Sequence, residues 1–296
     1  MKLPKVQDMR MFVACVAALM LVSCGGGSAG QASTPQTPVP STPVATPTAI
    51  PSPNSGAFWK PSLTDSFQWI LSTAFDTSVN ASVYDVDMFG TTAAQVAQLH
   101  ALGRHAVCYI DVGSYENFRP DASAFPAAVL GNVYVGFPNE RWLDIRRIDL
   151  LSPIMTARFD LCKSKGFDAV EPDNVDGYQN ATGFPLSASD QITYNTWIAS
   201  LAHQRGLSVA LKNDSDQVSS LEPIFDFALE ESCWVGGTCA ALSPFHADGK
   251  AVITVEYTDA TSSNTFLTQY CPQAKALGFY ALLKNPILDT WAEPCP

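Results

Sequence analysis

Two short acidic runs hold the residue types best suited to chemistry in this chain: Glu171-Pro172-Asp173-Asn174-Val175-Asp176 and Glu230-Glu231. Paired carboxyl groups suit glycosidic cleavage. One protonates the departing oxygen while the other attacks the anomeric carbon or positions water there. Crowding the carboxyls raises the pKa of at least one, which supplies an acid near neutral pH. Other chemistries lack their residues. Residues 57–296 hold no Gly-x-Ser-x-Gly, no phosphate loop and no dinucleotide fingerprint, and His100, His105, His203 and His246 fall in helices or loops. With no Cys-x-x-Cys pair and no His at ligand spacing, neither a metal nor a cofactor is expected.

Those groups need a scaffold, and the chain alternates short apolar runs with helix-period segments. The runs are Phe67–Leu71, Val83–Val86, Ala106–Asp111, Trp142–Ile145, Asp168–Glu171, Leu207–Lys212, Phe225–Glu230, Val252–Tyr257 and Phe279–Leu283. Tyr194, Trp197, Ile198 and Leu201 repeat at helical spacing after a Ser187-x-x-Asp190 capping box and before Gly206. Leu151, Ile154, Met155, Phe159 and Cys162 do the same before Gly166.

Such alternation means parallel strands joined by crossover helices. Run after run ends in a polar group: Asp85 and Asp87, Asp111, Asp144, Glu171, Asp173-Asn174, Lys212-Asn213, Glu230-Glu231 and Glu256. In a closed α/β barrel of the (β/α)8 TIM type these ends converge on one face, where active sites form. Nine runs for eight strands leave one surplus, expected at an end. Asp87 and Asp214 are expected as helix N-caps instead of site residues.

The barrel occupies residues 57–296. Residues 1–24 read as a lipoprotein signal, with Lys2, Lys5 and Arg10, then an apolar run from Met11 to Val22, then Leu21-Val22-Ser23-Cys24. Cys24 is the expected lipidation point, which predicts an exported protein anchored in a bacterial cell envelope, at the outer membrane or cell surface. Residues 25–56 are Gly-, Ser-, Thr- and Pro-rich with little to bury, and read as a disordered tether.

The formal net charge of −11 argues against nucleic acid as a partner and accommodates a cationic one. The domain is expected to be a monomer. Its six Cys suggest disulfides, with fifteen possible pairings. Cys233 and Cys239 suit a local staple, Cys271 and Cys295 a tie from the last helix to the C-terminus, and Cys108 with Cys162 is what remains.

Several segments together resemble glycoside hydrolase family 114, the endo-α-1,4-polygalactosaminidases. They are Phe67-Gln68-Trp69, Val83-Tyr84-Asp85-Val86-Asp87, Cys108 to Glu116, Glu140-Arg141-Trp142-Leu143-Asp144-Ile145-Arg146, Gly166 to Tyr178, Leu211-Lys212-Asn213-Asp214 and Glu231-Ser232-Cys233. The resemblance implies a TIM barrel acting on a cationic, α-1,4-linked galactosamine polymer, with Asp173 as nucleophile and Glu231 as acid/base. The family commonly has Asn before that Glu; here it is Glu230. Adjacent strand residues point to opposite faces, so only one of Glu230 and Glu231 readily faces the cavity.

The remaining matched residues are expected to line the substrate. Asp85, Asp111 and Asp176 would pair with amines, while Trp69, Tyr109 and Tyr178 would stack on sugars. Lys212 and Asn213 would bond hydroxyls, and Glu171, Asn174, Glu230 and Tyr257 complete the set. Two alternatives are a glycan-binding barrel without turnover and a hydrolase of another α-galactoside or α-hexosaminide.

Overall fold

Parallel strands with alternating inward and outward side chains build the structure, a computed structural model that describes residues 58–72 and 74–296. The signal-like segment, Cys24 and the tether lie outside the described residues. In chain order the barrel strands are β1 (Phe67–Ile70), β2 (Val83–Asp87) and β3 (His105–Asp111), with helix α1 (Ala93–Ala101) between the last two. After β3 the chain leaves the barrel for three short strands, β4 (Ser114–Glu116), β5 (Leu130–Tyr134) and β6 (Phe137–Leu143). Helix α2 (Ile148–Lys165) returns it to β7 (Ala169–Asp173), and α3 (Ala188–Gln204) leads to β8 (Ser208–Lys212). The short helix α4 (Val218–Leu221) precedes β9 (Phe227–Glu231), which α5 (Cys233–Gly236) and α6 (Ser243–Ala247) separate from β10 (Val252–Tyr257). Helices α7 (Ser263–Thr265) and α8 (Cys271–Leu277), joined by a π-helical turn, precede β11 (Tyr280–Lys284) and a final strand, β12 (Ala292–Pro294).

The strands neighbour one another in the order β1-β2-β3-β7-β8-β9-β10-β11-β12, and all these pairings are parallel except β11 with β12. This is the (β/α)8 barrel, nearly closed. Each strand divides its apolar residues between two cores, as a period of two requires. Phe67, Trp69, Val83, Val107, Ala210, Leu229, Val255 and Leu282 fill the interior. Tyr84, Val86, Cys108, Ile110, Val170, Val209, Leu211 and Ala228 pack outward against Leu99, Met155, Phe159, Ile198 and Ala202 of the helices.

The seam beside β1 is closed by the segment before β12. Leu71 N donates to Leu288 O at 3.0 Å, and Gln68 Nε2 to Thr290 O at 2.7 Å. The fully buried Lys284 bonds Gln68 Oε1 at 3.0 Å and Asp289 O at 2.7 Å, and burial pushes its pKa down to about 8.

Helix ends follow their local chemistry. Ser187 and Asp190 form the expected capping box on α3, and Gly166 ends α2 in the left-handed conformation. Asp87 is not a helix cap: Thr92 caps α1, while Asp87 accepts from Gly90 N and pairs with Arg119. Asp214 does precede a 3-10 turn, without a side-chain cap bond.

The surplus strand is internal, not terminal. Trp142–Ile145 belongs to the excursion after β3: Trp142 and Leu143 end β6, and Asp144 forks onto Arg146 at 2.7 and 2.8 Å. A run of apolar residues reads alike in a barrel strand and in a hairpin, so sequence periodicity had no means of separating them. All three disulfides form: Cys108–Cys162, Cys233–Cys239 and Cys271–Cys295. The first, over 54 residues, fastens β3 to α2.

Candidate active site

The last inward-facing residue of β7 is Asp173, of β8 Lys212 and of β9 Glu231, so three neighbouring strands deliver three charges to one point. Lys212 Nζ lies 3.0 Å from Asp173 Oδ1, 2.9 Å from Glu231 Oε2 and 3.1 Å from Glu171 Oε1. The Lys212 side chain is 1% exposed, against 18% for Asp173 and 25% for Glu231. Those two carboxylates are thus the exposed members of the group, while the ammonium beneath them fixes their spacing. Two oxygens bound to one Nζ at these distances lie less than about 6 Å apart.

Each carboxylate is held from several sides. Asp173 accepts from Tyr109 OH at 2.9 Å and from Asn174 N at 2.8 Å. Burial pushes its pKa up, but Lys212 and these donors outweigh that and hold it below the usual value. Glu231 accepts from Tyr257 OH and from Asn213 Nδ2 at 3.2 Å, and its own N–H donates to Asn213 Oδ1 at 3.0 Å. Burial alone would lower the pKa of Lys212; three carboxylates raise it well above its ordinary value, so the cation persists.

The chain turns sharply after each of these residues. Asn174, Asn213 and Ser232 have φ of 60°, 59° and 57°, a left-handed conformation that Asn tolerates better than most residues. Gly113 lies against the first of these corners, where a Cβ would overlap Asn174 O at 1.7 Å. Val112 N and Gly113 N both donate to Asp173 O, so this close approach holds the β7 end in place.

Several residues expected to line the substrate instead lie underneath it. Trp69 is 1% exposed, with Lys212 Nζ 4.8 Å from its ring centroid, so it offers no face to a sugar. Asp85 and Glu171 are wholly buried side by side. Burial, then Glu171, raises the pKa of Asp85 well above normal. Asp111 is also buried, and its oxygens are taken up by Gly113 N, Ser114 N, Ser114 Oγ and Asn174 Nδ2. It therefore positions the β7 corner and has no acceptor left over for an amine. Asn174 and Asn213 likewise act as corner and bracket.

Asp176, half-buried on the turn after β7, lies beside the pair, whereas Tyr178, also half-buried, accepts from Gln179 Nε2 at 2.8 Å instead. Burial and Asp173 push the Asp176 pKa up to about 6. Tyr134, on the β5–β6 hairpin, also reaches this region. Sequence reasoning missed it, because only Trp142–Ile145 of this region was read as a strand and residues 130–141 were given no element; the only local sign is an aromatic on each side of Val135-Gly136.

Glu230 points away from the interior, in the same direction as Ala228 on the outer face. It is 6% exposed and its Oε2 has no hydrogen-bond partner among the described residues. Burial and Glu231 push its pKa up to about 9 from 4.5. Between those values the native state keeps a proton that the unfolded chain has lost, so stability falls as pH rises through that window. Glu230→Gln removes this penalty. Its melting temperature should exceed that of the wild type by a margin that widens from about pH 5 to 9, with turnover little changed. Parallel melting curves for the two proteins would sink this reading.

A (β/α)8 barrel with two reachable carboxylates at the C-terminal ends of its strands is the architecture of a glycoside hydrolase, and this protein is one. The chain belongs to glycoside-hydrolase family GH114, which it matches over residues 48–296. Among solved structures, it is similar to Ega3 of Aspergillus fumigatus, determined in complex with galactosamine: 35% identity, 80% of this chain and 97% of that chain covered, TM-score 0.73. The glycoside hydrolase domain of PelA from Pseudomonas aeruginosa shares the fold, at 14% identity and TM-score 0.60, with 77% of this chain and 97% of that chain covered. No curated protein matches the chain.

Proposed function

We propose that this enzyme is an endo-acting, retaining hydrolase of α-1,4-linked galactosamine polymers, with Asp173 as nucleophile and Glu231 as acid/base. The observation that carries the reading is the accessible pair on one buried ammonium, with oxygens less than about 6 Å apart. A retaining pair needs carboxyl groups about 5–5.5 Å apart, and an inverting pair about 6.5–9.5 Å, which leaves room for water. In the first step Glu231 gives its proton to the glycosidic oxygen as Asp173 attacks the anomeric carbon from the other side, forming a glycosyl ester. In the second, water attacks that carbon, Glu231 takes up its proton, and Asp173 leaves as carboxylate.

The choice of sugar is supported by the galactosamine bound to the 35% identical Ega3 and by the acidity of this chain. Asp176, reachable and titrating at about 6, is the group suited to pair with a protonated amine beside the cleaved bond. The test is to incubate the purified barrel with free-amine and N-acetylated α-1,4-galactosamine polymers and to follow released oligomers. Mid-chain cleavage of the free-amine polymer is expected. Cleavage of the acetylated polymer alone would overturn the substrate assignment, and release of single sugars only would overturn the endo action.

The sequence of residues 1–56 supports an exported enzyme held at the bacterial cell envelope by a lipid on Cys24. Cys24→Ser should move the protein from the membrane fraction to the soluble fraction of cells. Unchanged membrane association of the variant would contradict the anchor.

A further inference from the structure

The three-stranded sheet after β3 turns one face to the barrel mouth. Its register sets Ser114 opposite Trp142 and Glu116 opposite Glu140, so the pleat places all four side chains on one side. Ser114 Oγ bonds both Asp111 and Glu140, which identifies that side as the one above the site. Tyr134, the last residue of β5, joins this face. Its ring centroid lies 4.4 Å from that of Trp142 and 5.1 Å from that of Phe137. Trp142 is 3% exposed and rests on Gly177, so the Tyr134 ring has a firm backing.

Tyr134 differs from the other tyrosines of the site. Tyr109 and Tyr257 spend their hydroxyls on Asp173 and Glu231. Burial first, then Asp173, Asp176 and Glu231, push the pKa of the half-buried Tyr134 up, yet it bonds none of these carboxylates. The hairpin is also tied down. Asn132 N donates to Thr182 O at 2.8 Å and Asn132 Nδ2 to Ala181 O at 2.9 Å, and a Cβ on Gly131 would overlap Thr182 O at 2.1 Å. An aromatic ring fixed in this way, on the sheet face above the site, is a preformed wall for a ligand.

We propose that Tyr134 is a specificity-determining residue of this hydrolase, packing its ring on the face of the sugar held between Asp173 and Glu231, with Trp142 behind it. The inference rests on Asp173 and Glu231 being the reacting pair, not on which sugar is cleaved. Tyr134→Ala is expected to raise KM about tenfold or more, with a smaller change in kcat. In an Asp173→Asn background, which binds without turnover, it should weaken oligomer binding by a similar factor in calorimetry.

Tyr134→Phe keeps the ring and should stay within about threefold of the wild type. Tyr134→Leu keeps apolar bulk against Trp142 without a flat face, and should lose as much as Ala while folding normally. The variants are compared on the free-amine polymer, or on the acetylated one if that alone is cleaved, so a failed substrate assignment leaves this test standing. Wild-type KM and affinity in Tyr134→Ala or Tyr134→Leu would overturn the proposal, as would a loss in Tyr134→Phe equal to that in Tyr134→Ala.

Discussion

Asp173→Asn is expected to lower kcat by about 10⁴-fold or more while leaving the barrel folded. Asn occupies the same volume: its amide oxygen can take the place of Oδ1, 3.0 Å from Lys212 Nζ, and its amide nitrogen the place of Oδ2, 2.9 Å from Tyr109 OH, where it can donate to the phenol oxygen. What it loses is the capacity to form a glycosyl ester. No neighbour is placed to substitute. Glu171 lies two residues back on the same face of β7 but is fully buried, and Asp111 is fully engaged by its own loop. The measurement is kcat on the cleaved polymer, together with a thermal melt to show that the fold persists. A variant that melts like the wild type and turns over at a comparable rate would remove Asp173 from the chemistry.

Lys212→Met should act on both stability and rate. Lys212 is the only cation within 3.1 Å of Glu171, Asp173 and Glu231 among the described residues. Its removal leaves those carboxylates uncompensated, one of them without exposure, and breaking a buried ion pair from one side costs about 3–5 kcal/mol. The pKa of Lys212 is raised in the fold, so its stabilisation is fully present below the ordinary lysine value and is lost only as pH climbs through the raised one. At neutral pH the whole effect should therefore register in a denaturant titration.

The rate should respond as well, because Lys212 is the main influence holding the Asp173 pKa down against burial. Without it that pKa rises, and the acid limb of kcat/KM moves to higher pH. An unshifted acid limb with unchanged stability would mean that the ammonium sets neither the fold nor the nucleophile.

The barrel was legible in the sequence wherever a strand was both apolar and closed by a polar end. Asp168–Glu171 and Leu207–Lys212 each lie within two residues of the strands that form, β7 and β8. Trp142–Ile145 misled because pleated backbone has the same period in a hairpin as in a barrel. The site was legible in its residue types and not in its depth. Asp85, Glu171 and Asp173 are all inward-facing carboxylates, and nothing local records that two of them end up sealed beneath the third. Depth depends on how far each strand projects and on what the loops lay over it. Tyr134 was invisible for the same reason, since only the last residues of the excursion that carries it, Trp142–Ile145, were read as a strand, and as one of the barrel. For Glu230 and Glu231, by contrast, strand alternation showed that only one of them faces inward, and the family resemblance chose Glu231.

Double displacement by Asp173 and Glu231 on an α-linked galactosamine polymer would retain the anomeric configuration. Proton NMR of the first reducing ends released, recorded before mutarotation equilibrates them, tests it most directly. Two inversions at the anomeric carbon predict that the α anomer accumulates first and the β anomer follows only by mutarotation. Initial release of the β anomer would mean a single displacement by water, and would contradict Asp173 as nucleophile.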